Sequence, residues 1–152
     1  MSGLFPPNAP AVADAAAVVE VAMAVVLLVG WLLVRRGQVR LHRLLQSSVV
    51  LVNIPIVLYA MVPPYLKYVA PSVPGQLGQA PILVPSLMLV AGAAAELLGI
   101  YIILVAGTSW IPERFRFRRY KLWMRTELGL WWAVVVAGLL TYYLFFVPGA
   151  SL

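Results

Sequence analysis

Glu20, Asn53 and Glu96 are the residues in this sequence placed to do chemistry away from water, because each is embedded in a long apolar run. Two carboxyl groups and a carboxamide at such depth have three uses. They can hydrogen-bond one helix to another, face a partner subunit or a cofactor that the partner holds, or pass protons or ions. A charged side chain at the centre of a bilayer costs about 2.5–3.5 kcal/mol on insertion scales. No Lys or Arg falls at the same depth to offset that cost. A glutamic acid there has one O–H to donate and can bond an Asn, a backbone carbonyl or another Glu. Interhelical bonding is therefore the leading expectation. A relay is a weaker one, since it needs titratable groups reaching water on both sides; Asp14 and Glu127 are the residues that would extend such a line.

The neighbours of these groups support close helix packing. Ala13, Ala17, Glu20 and Ala24 recur at three- and four-residue spacing, as do Gly92, Glu96 and Gly99 beside Ala91 and Ala95, so each set shares one helix face. Small residues let membrane helices approach closely. Both glutamates are expected in helix–helix seams, not on lipid-facing surfaces.

Little else in the chain carries chemistry. There is no cysteine, and His42 is the one histidine. Disulfides, iron–sulfur ligation and thiolate metal sites are excluded. No Ser/His/Asp set, phosphate loop or metal box is present, so the chain is not expected to be an enzyme, to ligate a metal or to hold a cofactor by side-chain ligation. Trp131 and Trp132 read as packing residues or interface anchors, and lipid, quinone or carotenoid packing on aromatic surfaces stays open. Glu127, two residues after Arg125, reads as an interfacial charge at the end of a span.

The elements that hold these groups follow from hydropathy. The 152 residues are 63% hydrophobic and 11% charged, with a mean hydropathy of +0.96. A soluble domain is about 45–50% apolar and about 25% charged. Four runs, about 11–34, 44–62, 85–107 and 126–147, approach the roughly 20 residues needed to cross the hydrocarbon core as a helix. Only helices satisfy the backbone of such segments, and strand-like alternation is absent. The expected fold is all-α: an integral four-transmembrane-helix antiparallel bundle forming a single membrane domain over 1–152. Pro55 is expected to kink the second span.

Of the eleven Lys and Arg residues, all but Lys67 fall in two clusters. One is Arg35, Arg36, Arg40 and Arg43; the other is Arg114, Arg116, Arg118, Arg119, Lys121 and Arg125. Short basic loops stay in the cytoplasm. Both termini, and the loop from Pro63 to Pro81, are then outside, in a bacterial inner membrane. Aromatics fit the interface belts: Tyr59, Tyr65 and Tyr68 outside; Phe115, Phe117, Tyr120 and Trp123 inside; Tyr142, Tyr143, Phe145 and Phe146 outside again. The opening MSGLFPPNAP lacks a basic region and reads as a short arm, not a cleaved signal peptide. The basic residues, with His42 among them, are expected to meet anionic phospholipid headgroups or an acidic face of a partner. The net charge of +6 borders apolar spans, so nucleic acid is not expected.

Two stretches carry a resemblance. The first is RRGQVRLHRLLQSSVVLVN, with Arg40, His42, Arg43, nearby serines and Asn53. The second is RFRRYKLWMRTELGLWWAVVVAGLLTYYLFFVP, with Met124, Arg125, Thr126, Trp131, Trp132, Val134–Val136 and Gly138. Together they resemble a family of small four-helix bacterial membrane proteins known as domain of unknown function 420, some members of which are linked to maturation of haem-copper cytochrome oxidase. The resemblance implies the fold and a link to redox complexes. That family carries several histidines expected to hold metal or haem. Here only His42 matches one, while Pro63–Pro64, Ala91 or Glu96, and Tyr120 stand where others would be, so inherited metal chemistry is not implied.

The expected function is a non-catalytic accessory subunit that packs against a larger energy-transducing membrane complex, respiratory or photosynthetic, and stabilises it. A transient assembly or cofactor-insertion factor for haem-copper oxidase is the alternative. A small proton or ion conductor using Glu20 and Glu96 is a third.

Overall fold

The computed structural model describes residues 9–108, 111–116 and 119–147. Residues 1–8 of the opening arm, Ser109, Phe117 and Arg118 lie outside the described residues, as do the side chains of Phe115 and Tyr120. The described chain is helical and contains no strand. Four helices are long and apolar enough to cross a membrane: α1 Ala11–Arg35, α2 Val39–Gln76, α3 Ala80–Gly107 and α4, whose qualifying stretch is Lys121–Phe146 within Tyr120–Phe146. This is the make-up of a multi-pass membrane protein. Large apolar side chains such as Val18, Val21, Val25, Leu51, Val90 and Val136 stay exposed on the helix surfaces, as lipid contact allows.

Three turns join the helices, and each has a local cause. α1 ends in a glycine-dependent stop. Gly37 takes φ +78°, a left-handed conformation open to a residue without Cβ. The Gln38 N–H then reaches Leu33 O at 2.9 Å and the Gly37 N–H reaches Val34 O at 3.1 Å, so carbonyls that the helix end would orphan are satisfied. α2 passes into α3 through Leu77–Gln79, where Gln79 N–H bonds Gln76 O at 2.9 Å, and Pro81 sits in the first turn of α3, where a missing N–H costs nothing. Between α3 and α4 a short 3₁₀ turn covers Glu113–Phe115. Arg116 holds that link by donating to Ile111 O at 3.1 Å and to Thr108 O at 3.2 Å.

α2 overturns one expectation. The Pro/Gly-rich stretch from Pro63 to Pro81 reads as a loop, yet helix continues through Gln76. Two π turns make this possible, Val57–Met61 and Tyr65–Val69. Each stops two residues before a proline, Pro63 and Pro71. In an α-helix a proline ring collides with the carbonyl four residues back and removes a hydrogen bond. In the wider π turn the Val62 N–H bonds Val57 O, and the Ala70 N–H bonds Tyr65 O, each five residues back. The turn thus re-pairs the backbone around the proline. The other helices also overrun the expected spans, with α3 starting at Ala80 and carrying Pro85 inside it, and α4 starting at Tyr120.

α1 packs against α2 and α4, and α3 packs against α2 and α4. The centre of the packing is Met23 and Leu27 of α1, Val49 and Val50 of α2, Ala95 of α3, and Trp131 and Val134 of α4. Trp131 and Leu27 are among the largest fully buried side chains. The C-terminal end of α1, the N-terminal ends of α2 and α4 and the link that follows α3 carry the arginines and form what we term the basic end.

Candidate functional site

The buried polar side chains lie in the seams between helices, and each has a distinct way of being accommodated. Asn53 of α2 and Glu96 of α3 meet directly: Asn53 Nδ2 donates to Glu96 Oε2 at 2.8 Å. Asn53 is buried and Glu96 half-buried. This bond crosses from α2 to α3 beside the close approach at Gly99, where an added Cβ would lie 2.7 Å from Val50 Cγ2. Small residues here let the helices come near enough for two polar side chains to reach across.

Glu127 of α4 joins the same region. Its Oε1 accepts a hydrogen bond from Trp131 Nε1 at 3.0 Å and faces Gly99, where a Cβ would stand 2.6 Å away. Glu96 and Glu127 lie within electrostatic reach of each other. The expectation that Glu127 is an interfacial charge is corrected: it is buried, because α4 begins at Tyr120 and places Glu127 two turns inside the helix. Glu127 and Trp131, four residues apart, face the same way.

Glu20 is not part of this group. It lies in the α1–α4 seam, buried, with its carboxyl group directly against the backbone of Gly138. No Cβ fits at Gly138 while that carboxyl group is in place. Two turns towards the start of α1, fully buried Asp14 accepts a hydrogen bond from Tyr142 of α4. Asp14 and Glu20 therefore face α4, not the Asn53–Glu96 bond. The carboxyl oxygens Glu20 Oε1, Glu96 Oε1 and Glu127 Oε2 are buried without a hydrogen-bond partner among the described residues.

His42 differs from the arginines with which its sequence groups it. The described basic-cluster residues, Arg35, Arg36, Arg40, Arg43, Arg114, Arg116, Arg119, Lys121 and Arg125, are exposed; Arg118 lies outside the described residues. His42 is buried in the α1–α2 seam, and its Nδ1 donates to Gly30 O at 2.8 Å. The reason is angular: at about 100° per residue, position 42 points well away from position 40. Gly30 leaves the room, since a Cβ there would meet Gln46 Nε2 at 2.9 Å. Arg43 donates through Nη2 to Ala106 O of α3 at 2.5 Å, capping the carbonyl end of that helix with positive charge. Arg35 lies over the Trp31 ring at 4.7 Å.

Among the described residues there is no group of three or more His, Asp or Glu able to hold a metal ion. The arrangement can tie helices together, and its unpartnered carboxyl oxygens can accept hydrogen bonds or exchange protons. The i, i+4 pair Glu127–Trp131 was the readable sign of the buried site on α4; nothing in the sequence marks Tyr142 as the partner of Asp14. No protein-family model matches the chain, and no curated protein or solved structure matches it either.

Proposed function

We propose that this chain is a non-catalytic integral accessory subunit that packs against a larger energy-transducing membrane complex, respiratory or photosynthetic, and stabilises it. It does so as an antiparallel four-helix bundle in a bacterial inner membrane, termini outside and basic end in the cytoplasm. Its partners are other integral subunits and anionic phospholipids. Any quinone, carotenoid or lipid is held by packing, not by a side-chain ligand.

The observation that carries this reading is the division between seams and surface. Asn53, Glu127, Trp131, Asp14, Tyr142 and His42 are engaged inside the chain's own helix contacts, and the outward faces are apolar. Such faces suit helix-to-helix packing with neighbouring subunits. The test is purification from native membranes in mild detergent through a tag on this chain, with mass spectrometry and an absorption spectrum. A stoichiometric assembly of redox or pigment proteins is expected. The chain recovered alone and colourless overturns the subunit reading and favours a transient factor, the role implied by the family resemblance, which would leave the mature oxidase.

One observation favours a second reading. The unpartnered oxygens of Glu20, Glu96 and Glu127 suit a small proton or ion conductor. Flux across proteoliposomes that disappears in Glu20→Gln with Glu96→Gln supports it, and flux that survives both removes it.

A further inference from the structure

A groove opens at the basic end of α2, lined by Arg40, Leu41, Arg43, Leu44 and Ser47, with a volume of about 380 Å³. Arg40, Arg43, Leu44 and Ser47 recur at three- and four-residue spacing and so present one helix face. We propose that this groove holds the phosphate and the first acyl carbons of one anionic phospholipid.

The lining has the two chemistries such a molecule needs. Arg40 and Arg43 are exposed guanidinium groups, the side chains best matched to phosphate oxygens. Arg43 is already oriented by its bond to Ala106 O, which uses one of the five N–H donors of a guanidinium group. Ser47 adds a hydroxyl one turn further along. No Asp or Glu occurs anywhere on α2 to compete for the arginines. Beside the charges, Leu41 and Leu44 are 49% and 62% exposed. A free phosphate ion would leave these leucines uncovered, whereas an acyl chain covers them. The charge pattern thus selects an anion and the leucines select an amphiphile. The inference rests on the orientation proposed above, which turns the basic end to the leaflet rich in anionic lipid.

The test uses the full chain in detergent micelles with added phosphatidylglycerol or phosphatidylcholine, and native mass spectrometry to count retained lipid. One phosphatidylglycerol per chain is expected to be retained in preference to phosphatidylcholine. A basic residue near an anionic headgroup contributes enough for Arg40→Gln to weaken retention about fivefold. Arg36→Gln, which removes the same charge from the neighbouring turn, should leave retention unchanged, and Arg40→Lys should restore part of it. Equal weakening by Arg36→Gln and Arg40→Gln overturns the site and leaves diffuse attraction. Equal retention of the two lipids overturns the charge selection. Displacement of the lipid by millimolar inorganic phosphate overturns the lipid and leaves a phosphate site. Arg40 is exposed, so the variant should keep the wild-type unfolding midpoint. Co-purification of partner subunits with Arg40→Gln reads the subunit proposal separately from the lipid.

Discussion

Glu127 and Glu20 are both carboxyl side chains buried on helix seams, yet the protein accommodates them by opposite means. Glu127 has a donor on its own helix, the indole of Trp131, and the same oxygen faces Gly99 of α3, which Val50 of α2 also approaches. Glu20 is set against the bare backbone of Gly138, with Oε1 unpartnered among the described residues. One site is made by adding a partner, the other by removing a side chain. The first should be rigid, because the carboxyl group is bonded to a large ring that is itself packed in the core that contains Val50. The second should yield, because the atoms nearest an added methyl group are the end of a flexible Glu side chain.

The largest expected effect breaks the rigid site. Trp131 is 2% exposed and Trp132, next to it, is 38% exposed. Trp131→Ala opens a cavity in the core that Trp131 shares with Val49, Val50 and Val134 and removes the donor to Glu127. Large-to-small core changes of this kind cost about 3–5 kcal/mol. Trp132→Ala should stay within about 0.5 kcal/mol, as surface substitutions usually do. Denaturant titration of the purified chain in mixed micelles, followed by circular dichroism, reads both. Equal midpoint shifts would mean that α4 does not use Trp131 as its anchor.

The glycines sharpen the comparison at a smaller scale. Gly99→Ala puts a Cβ 2.7 Å from Val50 Cγ2 and 2.6 Å from Glu127 Oε1. Neither neighbour gives way easily, so a loss in the usual overpacking range of about 1–3 kcal/mol is expected. Gly138→Ala meets the Glu20 carboxyl group first, the end of a flexible side chain, and should lose less. Much of its loss should vanish in Glu20→Ala, since residues in contact are energetically coupled. Gly129→Ala, with nothing within 4 Å of its added Cβ, should be neutral or slightly stabilising. If Gly138→Ala is as harmful with Glu20 absent as with it present, the seam is tight for another reason and the yielding-site account fails.

Much of this was legible in the sequence, and the exceptions have physical causes. Four apolar helices follow from hydropathy, because length and composition alone decide them. The closeness of Gly92 and Gly99 to neighbouring helices was readable from their spacing around Glu96; a Cβ at Gly92 would lie 3.9 Å from Val134. The pairing of Asn53 with Glu96 was not, since it depends on the relative rotation and height of two helices. Residues 63–76 read as loop because proline and glycine signal breaks, and nothing in local propensity announces a π turn that absorbs the ring. His42 was grouped with Arg40 and Arg43 by adjacency along the chain, whereas a helix turns adjacent residues apart. Glu127 was misread by a helix boundary: a start six residues earlier converts an end position into a buried one.

The smallest expected effects concern the polar tethers themselves. Asn53→Ala removes the donor to Glu96 and Tyr142→Phe removes the donor to Asp14. Interhelical hydrogen bonds in membrane proteins average about 0.6 kcal/mol, because the unfolded chain in the membrane also finds partners. Each variant should therefore shift stability by roughly that amount, far less than Trp131→Ala. The two tethers lie on different seams, α2–α3 and α1–α4, with no shared partner, so the double variant should equal the sum of the singles. A loss well above additivity would mean that the two seams open together as one cooperative unit. Additive losses would leave them as separate contacts, with the packing of Trp131, Val50 and Gly99, not the hydrogen bonds, setting how the helices sit.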